Sequence, residues 1–524
     1  MTGPCGQFIV RNEARDPMRP IRVLCYADMD AAIANCVTAA EMLRSRLGAH
    51  ITMTVYSRNV HFHEAFANYE LYDHPAIFGR SNRFRPFELA RATATAAPPN
   101  QAIVSLRREF HGLRKLLGQS QLLKFIFEHL RKLPARCMRW LRDLTRRIPF
   151  AHAAALVTQA WYRGRRVRRF LRLVQPDLII LAEDNIERLS ATLVNEGHRQ
   201  GIPSVIIPFT IPNPLEPAKS YRDRTINQVG GLLARLVTSR YPKWLYRLDG
   251  QDLIRLPALT ALVFELLGQS SPAPWILNRG GAARIALDSE ALRDHYLKLG
   301  FPADQLSVVG DLSGEILHKG LLNRAALAAE LVARHGFEPN RPMILCAFPP
   351  DQFTSMAAEF EFESYDALIA AWIDSFRVLC DRANVLVRLH PRISLDRFEA
   401  FKVPNVRFTL QPTAELVPLC DLYVASISAT IRWALACGIP VINYDTYRYR
   451  YGDYDAAAGI IQTESLEDFR TQLGRFVDDP SFAADLTDKQ RRQMSYWGIL
   501  DEQLPDRFIA LVLEVLKSGG VEVP

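Results

Sequence analysis

Two doubly wound α/β domains, set opposite one another across a cleft, are the fold this sequence predicts. Short apolar runs alternate with helical patterns along most of the chain. Several of those runs end in polar or charged residues, at the point where a parallel sheet presents its ligands. At 524 residues the chain is also longer than one core usually organises, so two domains of ordinary size are implied.

Bulk properties narrow the class. A hydrophobic content of 48% with 23% charged residues fits a globular protein and excludes a disordered or fibrous one. No apolar run approaches the roughly 18–20 residues that a membrane-spanning helix needs. The first 16 residues mix charged and polar groups and show no apolar signal core. The eight cysteines (Cys5, Cys25, Cys36, Cys137, Cys346, Cys380, Cys420, Cys437) form no CxxC pair, and several sit inside apolar runs. That usage predicts buried free thiols and a reducing, cytoplasmic setting.

Element by element, the first domain opens with the apolar strand Ile21–Tyr26. A helix follows, reaching Leu47 and capped by Asp28 or Asp30, and then a second strand, Ile51–Tyr56. From Ser57 to Asn100 the pattern is irregular, polar and aromatic. Residues 105–172 read as cationic amphipathic helices, broken at Pro134 and Pro149, with Leu, Ile, Phe and Trp at three- and four-residue spacing. Between Arg107 and Arg172 there are 18 Lys or Arg against three acids, in a chain whose total is only +8, so the remainder is acidic. Two readings of that segment stand: contact with an anionic membrane surface or lipid-linked acceptor, or an insertion packed on its own domain with a solvated basic face. Nucleic acid is not an expected partner, because no recognised nucleic-acid module accompanies the charge.

The α/β rhythm resumes with the strand Leu178–Ala182, ending in Glu183-Asp184-Asn185. A helix over Ile186–Gln200 and the strand Ser204–Pro208 complete a βαβ unit. Residues 209–270 are less legible. Arg284–Leu287 and Ser307–Val309 read as further strands with a helix between them. A linker-like stretch at Phe337–Asn340 separates a first domain, 1–335, from a second, 336–524. Strands of the second are Met343–Phe348, Asn384–Leu389, Val406–Leu410, Leu422–Ala425 and Val441–Tyr444.

Chemistry concentrates at strand ends. His390-Pro391, flanked by Arg388 and Arg392, closes one strand; an imidazole beside two guanidiniums suits a phosphate or pyrophosphate. By itself the dipeptide also fits a plain turn. Ser426-Ile427-Ser428-Ala429-Thr430 follows another strand and opens a helix, with Arg432 in its first turn. Hydroxyls and free amides there can hold an anion, and their number exceeds what one helix cap uses. Glu183-Asp184 is either a carboxylate base for an acceptor hydroxyl or, through Asp184 or Asn185, an ordinary helix cap. Asp28 and Asp30 are weaker candidates for the same base. Asp445, amid Tyr444, Tyr447, Arg448, Tyr449, Arg450 and Tyr451, reads as part of a loop closing over a donor, or as an exposed loop of stacked tyrosines. There is no HExxH, no Walker lysine, no DxD pair in a metal loop and no GxSxG elbow, so neither a metal nor a cofactor is expected.

His390-Pro391 and Ser426-Ser428-Thr430 resemble the HP and Ser/Thr-rich motifs of GT-B glycosyltransferases that build bacterial surface and capsular polysaccharides, such as polysialyltransferases, Kdo transferases and CDP-glycerol glycerophosphotransferases. Glu183-Asp184 is similar to the paired acids of the D/E-D/E-G motif, with Asn185 where that family has glycine. The resemblance implies a GT-B fold and a CMP- or CDP-activated sugar donor. It also implies an inverting, metal-independent transfer to a glycan or lipid-linked acceptor, at the inner face of the plasma membrane. Glu183, Asp184 and His390 would be catalytic. Arg388, His390, Pro391, Arg392, Ser426, Ser428, Thr430, Arg432 and Asp445 would hold the nucleotide sugar. Pro176–Val205 also looks like non-hydrolysing UDP-GlcNAc 2-epimerases, which leaves a sugar-nucleotide epimerase as the alternative enzyme. A non-catalytic membrane-associated scaffold of the same fold is the alternative outside catalysis.

Overall fold

The computed structural model describes residues 20–27, 30–57, 70–71, 149–352, 360–379, 381–389, 395, 398, 401, 403 and 405–523. By contacts the chain divides into two compact units. The first comprises residues up to Ile207, Pro217–Ile285 and Val512–Pro524; the second comprises Pro208–Glu216 and Ala286–Leu511. This division runs elsewhere than a single boundary at 335/336. It assigns Ala286–His335 to the second unit and returns the C-terminal residues to the first.

The strands of the first sheet are β1 (Ile21–Ala27), β2 (Ile51–Ser57), β3 (Glu70–Leu71), β4 (Leu178–Leu181) and β5 (Ser204–Ile206). An antiparallel hairpin, β6 (Leu245–Leu248) and β7 (Gln251–Ile254), stands apart as its own sheet. Its turn is Asp249-Gly250, both at positive φ, which is the two-residue connection whose twist matches that of the strands. The first sheet continues with β8 (Arg284–Leu287) and β9 (Leu306–Val308) in the order β3-β2-β1-β4-β5-β8-β9. Pairing is parallel from β3 through β8. β1 and β4 are almost entirely buried, as expected of strands covered on both faces. The βαβ unit appears as predicted, except that its helix starts at Leu189, three residues later than Ile186. Asn185 is the reason: its Oδ1 accepts the amide of Glu187 at 3.1 Å, an Asx turn that delays the helix.

The second sheet contains β10 (Met343–Ala347), β11 (Asn384–Arg388), β12 (Val406–Thr409), β13 (Leu422–Ala425), β14 (Val441–Tyr444) and β15 (Ile460–Thr463). Its order is β12-β11-β10-β13-β14-β15, parallel throughout. Numbered within the sheet this is 3-2-1-4-5-6, the doubly wound order whose ligand crevice lies outside the strand ends where the order reverses, here between β10 and β13. One face packs Ile344, Cys346, Val385, Val387, Leu422, Val424 and Tyr444 into a core with Trp372 and Phe469. The Tyr444 ring lies 5.4 Å from Trp372 and 4.9 Å from Phe469 in near-parallel stacks, and burial of each ring is worth about 2–3 kcal/mol. The opposite face buries Met343, Leu345, Leu386, Tyr423, Ala425 and Val441. Strand alternation therefore puts Arg388, two residues after Leu386, on the same face as Tyr423 and Ala425.

No described helix is long and apolar enough to cross a membrane. Cys25, Cys36, Cys346, Cys420 and Cys437 are buried free thiols. Of the basic segment, residues 105–148 lie outside the described residues. The remainder is one helix, Pro149–Val174. It buries Val167, Phe170 and Leu171 and uses Arg163 on the Phe264 ring and Arg168 on Glu196, so this part packs on its own unit.

Candidate functional site

In the second unit, the switch point carries the predicted hydroxyl cluster. β13 ends at Ala425, level with Ala347 of β10, which is level with Arg388 of β11. Ile427 then takes φ of +44°, an unusual left-handed conformation for a β-branched residue. Its amide donates to Asn443 Oδ1 at 2.9 Å, and Asn443 Nδ2 donates to Gln462 Oε1 at 2.6 Å, so two neighbouring strands fix the turn. Such strain persists where surrounding structure over-determines it, most often at ligand sites.

The turn brings Ser428 Oγ within 2.7 Å of Thr430 Oγ1, and Thr430 Oγ1 also bonds the buried Tyr423 hydroxyl. Tyr454 OH donates to the Ser428 carbonyl at 2.8 Å. The helix that follows, Ile431–Ala436, has only six residues, and Thr430 at its start makes no side-chain cap. A helix dipole therefore contributes less here than the sequence suggests, and capping does not account for the hydroxyls. Ser426 Oγ is buried with no hydrogen-bond partner among the described residues. Orphaned buried hydroxyls are uncommon and call for an explanation such as an absent ligand.

Arg388 closes β11 half-buried. Its Nη1 donates to the Leu389 carbonyl at 2.8 Å and its Nε reaches the Gln411 carbonyl at 3.4 Å, with no carboxylate partner among the described residues. Burial lowers its pKa, and the neighbouring Tyr423 phenol opposes that shift. Arg388 thus lies on the same sheet face as Tyr423, whose hydroxyl begins a chain through Thr430 to Ser428, near a serine with no hydrogen-bond partner among the described residues. A partly desolvated guanidinium without a counter-charge, next to convergent hydroxyls, is suited to a phosphate. His390, Pro391 and Arg392 lie outside the described residues.

Two predicted ligands of this site have other partners. Arg432 is buried and ion-paired to Asp288, with Nε on the Ala429 carbonyl and Nη2 on the Phe209 carbonyl. The beginning of that helix is therefore braced by Arg432 from beneath, and its charge is already matched. Asp445 is buried too; its Oδ2 accepts the Arg450 amide at 2.6 Å and its carbonyl accepts the Arg448 amide at 2.9 Å. It folds the loop on which Tyr447, Tyr449 and Tyr451 lie in series, with ring centroids 5.6 and 4.9 Å apart.

In the first unit, Glu183 and Asp184 follow β4 and are both buried. Glu183 pairs with Arg188 at 3.1 Å. The Asp184 backbone is held by Asn278: its amide donates to the Asn278 side-chain Oδ1 at 2.8 Å, and its carbonyl accepts the Asn278 amide at 2.9 Å. Its carboxylate rests so closely on Gly280 that a Cβ there would lie 1.9 Å from Oδ2. Burial pushes the Asp184 pKa up to about 6, only partly offset by the Gly280 amide. Neither Asp184 nor Asn185 caps the helix, whose N-cap is Arg188 without a side-chain bond; Asn185 makes only the Asx turn ahead of it. A carboxylate with a raised pKa and no ion-pair partner among the described residues is a competent proton acceptor near neutral pH. Elsewhere in the same unit, buried Arg255 holds Glu187 at 2.7 Å and the Tyr221 hydroxyl at 2.6 Å. Asp28 lies outside the described residues, and Asp30 is the first residue of the helix Asp30–Leu47.

Sequence reasoning missed Tyr423, Asn443, Asn278 and Gly280. Asn443 was visible as an amide inside an otherwise apolar strand, and Asn278-Arg279-Gly280-Gly281 as a turn signal. Among the described residues, no group of three or more His, Cys, Asp or Glu converges as a metal site.

No family model and no curated protein matches the chain. Among solved structures it is similar to the wall teichoic acid polymerase TagF soaked with CDPG, at 9% identity and a TM-score of 0.48, covering 96% of this chain and 90% of that one. It is similar to CalG4, the calicheamicin glycosyltransferase, at 12% identity and a TM-score of 0.48, covering 95% and 99%. A UDP-GlcNAc 2-epimerase from Neisseria meningitidis, bound to UDP-GlcNAc, is similar at 11% identity and a TM-score of 0.45, covering 94% and 100%.

Proposed function

We propose that this chain is a glycosyltransferase that moves a sugar from a nucleotide-activated donor, CMP- or CDP-linked, to a surface-polysaccharide or lipid-linked glycan acceptor. The observation that carries this reading is Arg388 on one sheet face with the Tyr423–Thr430–Ser428 hydroxyl chain, near Ser426, at the switch point of a doubly wound sheet. There the donor phosphates would find a guanidinium and hydroxyl donors already in place, so charge developing on the departing nucleotide is stabilised without a resident metal.

Asp184 is the base in this proposal. It takes the proton of the acceptor hydroxyl as that oxygen attacks the anomeric carbon; the carbon–oxygen bond to the phosphate breaks, and the nucleotide leaves with the electron pair. One displacement of this kind inverts the anomeric centre. Glu183, held by Arg188, supports the turn that presents Asp184. His390, with Pro391 and Arg392, belongs to the donor side of the proposal, and a membrane-facing role for 107–172 to its acceptor side.

The test is to incubate the protein with CMP-, CDP-, UDP- and GDP-sugars and a lipid-linked glycan acceptor, and to separate the products. Acceptor-dependent release of one nucleotide is expected. Conversion of a UDP-sugar to its 2-epimer without acceptor would transfer the assignment to the epimerase, and no turnover or binding of any donor would leave the scaffold.

A further inference from the structure

The helix Leu232–Arg240 in the first unit, LLARLVTSR, has apolar side chains on two faces. Ala234 and Val237 are buried, with Val237 in a core beside Trp244, Ile254 and Ala261. The other side is exposed, and it is not polar: Leu232 is 87% exposed, Leu236 65% and Leu233 40%. Leu232 and Leu236, four apart, share one stripe, and Leu233 lies beside Leu236 at three-residue spacing. Just upstream, Ile226 is 63% exposed on a short turn. A single exposed leucine needs no explanation, but a run of them on one helix marks a surface built for contact.

Charge points to what it contacts. From Arg224 to Leu248 the sequence contains Arg224, Arg235, Arg240, Lys243 and Arg247 and no Asp or Glu. Arg235 and Arg240 lie on the helix itself and are exposed. Lys243 and Arg247 are ion-paired to Glu265 and Asp252, which leaves Arg235 and Arg240 as the helix's own cations. Leucines beside those two guanidiniums fit the boundary of an anionic bilayer, where apolar side chains enter the acyl region and guanidiniums stay with the headgroup phosphates.

We propose that this helix is an interfacial anchor that inserts Leu232, Leu233 and Leu236 into an anionic membrane surface. It is a different segment from 107–172, and it holds or fails whatever reaction the protein catalyses.

The experiment is flotation of the full chain with vesicles of phosphatidylcholine alone and with about a third phosphatidylglycerol. The wild type is expected to float with the anionic vesicles, and less so at about 0.5 M NaCl. The double substitution Leu232→Glu/Leu236→Glu, at exposed positions that leave the core intact, is expected to reduce the bound fraction at least about tenfold at unchanged Tm. Arg235→Glu alone should weaken binding several-fold, and it serves as the readout if the double variant is poorly folded. If the double variant floats like the wild type, the anchor is elsewhere and the proposal is overturned. It is also overturned if the wild type does not float, or if it sediments as a dimer that the double variant dissociates, which would make the patch a self-association surface.

Discussion

The strand ends of the two units carry opposite chemistry on similar sheets. After β4 in the first unit, a buried carboxylate lies against a glycine with no described cation to balance it, and its pKa rises to about 6. After β11 and β13 in the second, a half-buried guanidinium lies beside hydroxyls with no described carboxylate to balance it. Elsewhere the chain matches buried charge carefully, as in Arg432 with Asp288 and Glu196 with Arg168 and Arg199. Both strand ends thus keep a charge unmatched among the described residues, which costs stability and is the kind of arrangement found where stability is not the only constraint.

The largest effect is expected at Asp184. Asp184→Asn is expected to lower kcat about 10²–10⁴-fold with nucleotide affinity unchanged. In the wild type, kcat/KM should fall as pH drops below about 6, because the base works deprotonated. Stability should move the other way. A carboxyl whose folded pKa is raised above its unfolded value stabilises the fold below the unfolded pKa, and that contribution is lost as pH rises through about 6. Asp184→Asn should therefore be more stable than wild type at pH 7.5, by up to about 3 kcal/mol, with the gap closing towards pH 4. Thermal unfolding across pH reads this directly; a destabilised variant at pH 7.5 would mean the carboxylate is structural.

Gly280→Ala probes the same residue from outside. The new Cβ would lie within van der Waals contact of the carboxylate and displace it, so kcat should drop about 10²-fold while nucleotide binding is spared. At the other strand end, Ser426→Ala should leave Tm unchanged or slightly raised, since a buried hydroxyl with no described partner is removed. If that hydroxyl serves the donor, nucleotide affinity falls about fivefold by calorimetry. A clear loss of Tm would instead reveal a structural bond.

Much of the fold was legible because parallel strands buried on both faces are short apolar runs, and β4 and β13 have such sequences in full. β15, Ile460–Thr463, was not found, because an edge strand with an exposed Gln462 breaks the pattern. The β6–β7 hairpin went unread although Leu248-Asp249-Gly250-Gln251 is a strong turn signal, its flanking strands being too polar to stand out. At the site, Ser426, Ser428 and Thr430 were legible because three hydroxyls crowd one strand-to-helix turn. Arg432 looked like a phosphate ligand for the same reason, and only its partner Asp288, 144 residues earlier, shows otherwise. Asn278, 94 residues from Asp184, was out of reach of any local pattern.

The most direct measurement is calorimetric titration of wild-type protein and Arg388→Gln with CMP, CDP, UDP and GDP. The wild type should bind one of these nucleotides, and the variant, folded to the same Tm, should bind it about 10–100-fold more weakly. No binding by the wild type, or equal binding by the two proteins, would contradict a phosphate site at Arg388 and the transferase built on it.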